Sequence, residues 1–155
     1  MLQNLILLLL HGLLAVGVLG GLTHQWVACM RRGTRSSSSF IDRYAAVNGR
    51  IFVDAIIVMY MGVFVLGAVI YPAYRVDVRI PLEEMMLGWA VGLFELKEHF
   101  GGIGAAILPL YRYVWLRQEA SAGPNTAQTW LTSLLAAIVW FDFISGHVIN
   151  NIRGL

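Results

Sequence analysis

Four long apolar stretches alternate with short polar links along the chain. Residues 3–30 are almost uninterruptedly apolar until Arg31 and Arg32 close the run. Residues 51–71 form a second run, marked only by Asp54 near its start. Tyr71, Pro72, Tyr74 and Arg75 end it with interfacial aromatics, a helix breaker and a charge. Residues 85–116 make a third run and residues 130–149 a fourth, which carries Asp142 and His147. A helix needs about 20 apolar residues to cross the hydrocarbon core, and every run reaches that length. The links at 33–48, 76–84 and 118–128 are short, so consecutive helices should be neighbours of opposite direction. The pattern predicts an all-α integral membrane protein, a single transmembrane domain built as an antiparallel four-helix bundle with short loops.

The third run is too long for a simple crossing. Its 32 residues would make a helix of ~48 Å against a core of roughly 30 Å. It is expected to tilt, to leave the hydrocarbon in part, or to break, with Gly101, Gly102, Gly104 and Pro109 as weak points.

Composition sharpens the membrane reading. Charged residues are 13% of the chain and the mean hydropathy is +0.69, where soluble domains carry about 25% charge. The net charge of +2 is small and its basic residues gather in loops, which argues against a nucleic-acid partner. The single cysteine, Cys29, excludes an internal disulfide and a cysteine-cluster metal site. The apolar N-terminal run lacks the basic start of a secretory signal and is read as a retained first helix. Arg31, Arg32, Arg35, Arg43, Arg50, Arg112 and Arg117 fall on one side of the bundle, against Arg75, Arg79 and Arg153 on the other. The positive-inside rule then places both termini outside the cytoplasm.

The candidate chemistry lies inside the apolar runs. All four histidines, His11, His24, His99 and His147, are there and none is in a loop. Glu95, Lys97, Glu98 and His99 crowd one short stretch of the third run. Ionisable groups in a bilayer are costly unless they are paired, face a bundle interior or line a wet cavity. Counted by depth with the whole third run inserted, His11 pairs with His147 on the outer side and His24 with His99 further in. Two such pairs match two b-type haems, each with two axial imidazoles, and Arg31 or Arg112 would meet propionates. In another register His11, His99 and His147 gather with Glu95 and Glu98, as in a copper or non-haem iron site. The 13-residue gap between His11 and His24 leaves them about 140° apart around the helix, so they serve different grooves. Glu95 and His99 share a helix face; Glu95, Glu98 and Asp142 are candidate proton acceptors or partners of a metal-bound histidine. The structural alternatives are interhelical hydrogen bonds for the histidines, an interfacial charge cluster for Glu95–Glu98, a buried pair for Asp142 with Lys97, and plain helix packing for the glycines.

The run His11-Gly12-Leu13-Leu14-Ala15, followed by Gly20-Gly21 and His24, resembles the first helix of CopD-like and HemJ-like membrane proteins. The four-span layout is similar to small bacterial b-type cytochromes, including the cytochrome b561 class. The resemblance covers mainly the first span. It implies haem b or copper handling in the bacterial inner membrane, with His11 as the first position to carry over. No nucleophile motif, phosphate loop or zinc signature appears, which favours a redox carrier over an independent catalyst. The expected function is a b-type cytochrome with one or two haems, a small subunit of a larger membrane complex that exchanges electrons with a quinol or another cytochrome. The alternatives are a non-haem copper or iron protein and a cofactor-free accessory subunit.

Overall fold

The structure, a computed structural model, describes residues 2–31, 39–117 and 124–153, with residue 153 described by its backbone only. Arg32, Arg35 and most of the first link, together with residues 118–123 of the third, lie outside the described residues, as does the side chain of Arg153. The described chain is helical throughout: α1 (Leu2–Met30), α2 (Phe40–Ala45), a 3-10 turn (Gly49–Phe52), α3 (Val53–Tyr74), a π turn (Arg75–Arg79), α4 (Ile80–Glu84), α5 (Gly88–Arg117) and α6 (Thr126–Arg153).

Three helical stretches among the described residues are long and apolar enough to cross a membrane: α1, the 36-residue run Gly49–Glu84 centred on α3, and α6. The fourth expected span, α5, has the length but not the uniform apolarity, because Glu95, Lys97, Glu98, His99 and Arg112 are on it. The long helices close a ring in which α1 and α5 each pack against both α3 and α6. Val18, Leu22, Ile56, Leu108, Tyr111 and Leu135 meet at its centre. Leu9, Leu13, Val58, Val65 and Trp130 point outward and are exposed. A bundle that is apolar outside as well as inside is suited to lipid contact.

The third run does not break at its glycines or at Pro109; α5 is one continuous helix. The glycines act in packing instead. Gly104 lies so close to the Tyr60 ring of α3 that an added β-carbon would collide with it. The Tyr60 hydroxyl donates to the Gly101 carbonyl at 3.0 Å. Contact with neighbouring helices of this kind is what keeps Pro and Gly tolerable in apolar helices. The chain reverses earlier, at Met86, whose φ of 58° is in the left-handed region and whose side chain is 88% exposed.

One end of the bundle is tied by buried polar groups. Gln25, fully enclosed, donates to the Gly49 carbonyl at 2.7 Å and accepts from the Tyr111 hydroxyl. Trp115 donates to Thr132 at 3.0 Å, and Arg50 to the Leu116 carbonyl at 2.8 Å. These bonds join α1, α5, α6 and the 3-10 turn and pair the groups that make them, as an apolar medium demands, while His24 Nδ1 and Ser133 Oγ at the same end have no partner. Outside the spans, Ser39 caps α2 through Asp42, and Arg31 reaches the Asp42 carboxylate at 2.7 Å. The Ser39 hydroxyl first, and then Arg31, hold that carboxyl below its usual range. The clasp is therefore intact at neutral pH and is lost only as pH falls through the depressed value.

Replacing Gly104 by Ala should displace Tyr60 and lower stability by about 1–3 kcal/mol. Gly102→Ala, where an added β-carbon meets nothing within 4 Å, should not destabilise. Thermal unfolding of the two variants in detergent, beside the parent protein, checks both.

A glycine-walled cavity as the candidate functional site

A cavity of about 300 Å³ lies among the four long helices. Each helix contributes a glycine and at least one polar side chain to its lining. His11 and Gly12 come from α1, Tyr60 and Gly67 from α3, Lys97, Glu98 and Gly101 from α5, and Asp142, Gly146 and His147 from α6. The glycines make room for polar side chains on the facing helix. A β-carbon at Gly67 would stand 3.5 Å from His11 Cε1, one at Gly101 3.5 Å from Asp142 Oδ2, and one at Gly146 3.7 Å from Lys97 Cε. A methyl group would touch at each place, and anything larger would displace the neighbour. Exposed Leu8, Phe64, His147 and Asn150 form the mouth.

The charges of the cavity are incompletely matched within the chain. Lys97 is 3.4 Å from Glu98 and lies over the Phe94 ring at 5.1 Å. Lys97 and Asp142 share the cavity, but the ion pair formed by Lys97 is with Glu98. Asp142 Oδ1 and His11 Nδ1 are buried without a hydrogen-bond partner. An unpartnered buried polar group costs about 1–3 kcal/mol, so a ligand that satisfies these atoms is rewarded for doing so.

His11 and His147, assigned to one depth by residue counting, line this one cavity. His24 and His99 do not come together. His24 is 8% exposed and lies edge-on to Tyr44 and Phe52, with ring centroids 4.6 and 5.4 Å away. Its Nε2 is 2.8 Å from the Tyr44 carbonyl. A carbonyl only accepts, so Nε2 carries the proton and His24 fastens α2 to α1. His99 is exposed, its Nδ1–H donating to the Glu95 carbonyl at 2.6 Å. It lines a second pocket with Glu95 and Glu98, and Glu98 borders both cavities. Arg31 is bound to Asp42 at 2.7 Å and Arg112 to Asp54 at 2.8 Å; neither lines the cavity. Among the described residues no three His, Cys, Asp or Glu side chains converge as a metal-ion ligand set, so His11, His99, His147, Glu95 and Glu98 do not form one cluster.

Sequence reasoning did not select Tyr60 or the glycines Gly67 and Gly146 as cavity residues. A lone hydroxyl midway along an otherwise clean apolar run was the available signal for Tyr60. The chain matches no protein-family model, and no curated protein or solved structure shows a match to it.

His24→Ala should free α2 from α1 at a cost of about 1–3 kcal/mol while leaving the cavity side chains in place. Hydrogen exchange at the amides of α2 should accelerate, with exchange around Asp142 unchanged.

Proposed function

We propose that the chain is a small b-type cytochrome of the bacterial inner membrane, an antiparallel four-helix bundle that holds one haem b in the glycine-walled cavity. His11 and His147 are the residues that would hold its iron. The observation that carries this reading is that these two imidazoles, from different helices, line one small-residue cavity. The donor set suits the group. A haem iron takes four nitrogens from its macrocycle and needs at most two from the protein, whereas a bare ion requires three or four protein donors. Gly12, where an added β-carbon would meet nothing within 4 Å, leaves a flat backbone surface at the cavity, and the mouth is open at His147. When bound, haem supplies one-electron chemistry. The chain orients it, shields it behind apolar helices and places Lys97, Glu98 and Asp142 beside it.

The contacts of α1 with α3 support the antiparallel arrangement: His11 with Gly67, Gly17 with Met59 and Gly21 with Ile56 follow opposite orders along the two helices. α5 becomes the fourth crossing by turning Lys97, 18% exposed at its side chain, toward the cavity. Both termini are then outside the cytoplasm by the placement of the arginines. One haem toward one face suits an electron relay within a larger complex, with a quinol or another cytochrome as exchange partner, better than a two-haem wire across the membrane.

Protein purified in detergent from haem-replete cells should contain one haem b per chain by pyridine haemochrome, with a sharp reduced α-band. His11→Ala and His147→Ala should lose that band, and His24→Ala and His99→Ala should keep it. Folded protein without porphyrin, or a band that survives both cavity substitutions, would overturn the reading.

A further inference from the structure

The four long helices do not present the same outer face. α1 turns Leu9 and Leu13 outward, α3 Val58 and Val65, and α6 Trp130 and Ile144, all exposed and all bulky and apolar, as lipid contact favours. α5 differs. Gly88, Gly92, Glu95, His99 and Ala106 are exposed and follow one another at steps of four, three, four and seven residues, the spacing of a single helix face. That face is opposite the one that carries Gly101, Gly104 and Leu108 into the bundle. A β-carbon added at Gly88, Gly92 or Gly102 would meet nothing within 4 Å, so no described part of this chain covers the stripe.

Two ionisable side chains in the middle of the face set it apart from a packing stripe. Arg112, bound to Asp54 at 2.8 Å, marks one end of the crossing. His99 is 13 residues from it and Glu95 is 17, about 20 and 26 Å along the helix, within a hydrocarbon core of roughly 30 Å. An ionisable group at that depth is costly against lipid and almost always turns to protein or to a wet cavity. Both side chains border the second pocket, between α3 and α5, yet both remain exposed.

The geometry points to this face of α5 as the contact between two copies of the chain, related by a twofold axis along the membrane normal. The occupant is a second copy because the face complements itself. The Nδ1–H of His99 goes to the Glu95 carbonyl, which leaves Nε2; the Glu95 carboxylate meets Arg79 through Oε1 at 3.3 Å, which leaves Oε2. Acid and imidazole are one turn apart, so in a parallel pair His99 of each copy comes beside Glu95 of the other. One proton between Nε2 and Oε2 makes the bond, whichever atom carries it, and the symmetry makes the bond twice. Gly88 and Gly92 on one side of the pair, with Gly102 and Ala106 on the other, let the two backbones approach closely enough for it. The contact rests on α5 being a membrane crossing, as proposed above, and not on haem.

Disulfide cross-linking in isolated membranes and sedimentation equilibrium in density-matched detergent test it together. Ala106→Cys should cross-link to a dimer under copper phenanthroline. Val65→Cys, on the outer face of α3, and the parent chain with its buried Cys29 alone should not. His99→Leu should weaken the dimer about tenfold. Gly92→Leu, whose β-carbon meets nothing in its own chain, should abolish it while the helical circular dichroism is kept. A monomer at every concentration, equal cross-linking at residues 65 and 106, or a dimer indifferent to both His99→Leu and Gly92→Leu would overturn the proposal. Ala106→Cys also separates it from the reading on which it rests. No cross-link together with protection from a water-soluble maleimide sinks the dimer and leaves the crossing, whereas reaction with that maleimide sinks both.

Discussion

A polar side chain inside an apolar helix bundle needs space as well as a partner, and here the space comes from glycine on the facing helix. His11 lies over Gly67, Asp142 over Gly101, and Lys97 beside Gly146. Tyr60 takes the room that Gly104 leaves and bonds to the Gly101 carbonyl. At Gly104 any side chain would collide with Tyr60, while at Gly67, Gly101 and Gly146 a β-carbon would only touch and larger side chains would displace the polar group.

The two ends of the bundle solve the same problem differently. Around Gln25 the bonds to Gly49, Tyr111 and between Trp115 and Thr132 are made within the chain, although His24 Nδ1 and Ser133 Oγ nearby have no partner. Around Asp142 the groups are enclosed but unpaired, and the mouth is open. The proposed haem lies at the Asp142 end, where the polar groups share one open cavity.

Much of this was legible in the sequence, for identifiable reasons. Long apolar runs set the helices, because length and hydropathy alone decide whether a segment can cross a bilayer. Depth was legible only in part: residue counting placed His11 and His147 at one level, and they line one cavity. The same count paired His24 with His99, but Gln25, next to His24, bonds Tyr111, which lies about 18 Å along α5 from His99. His24 instead meets Tyr44, and His99 is exposed on α5. Of the three expectations for the long third run, a break at its glycines is not seen, since Tyr60 packs against Gly104 and α5 is continuous from Gly88. The short α2, the π turn and the reversal at Met86 follow from caps and local bonds that leave little periodic trace. Glycine was read as a packing device or a weak point; its role as room for a facing polar side chain becomes visible only once the helices are paired.

The central claim is that the imidazoles of His11 on α1 and His147 on α6, which line one cavity, would together hold one haem iron. Low-temperature electron paramagnetic resonance of the oxidised protein tests it most directly. The account predicts a low-spin ferric signal of bis-imidazole type, integrating to one iron per chain and converted to high spin when either His11 or His147 is replaced by Ala. A high-spin or non-haem metal signal in the unaltered protein, or a low-spin signal indifferent to both substitutions, would contradict it.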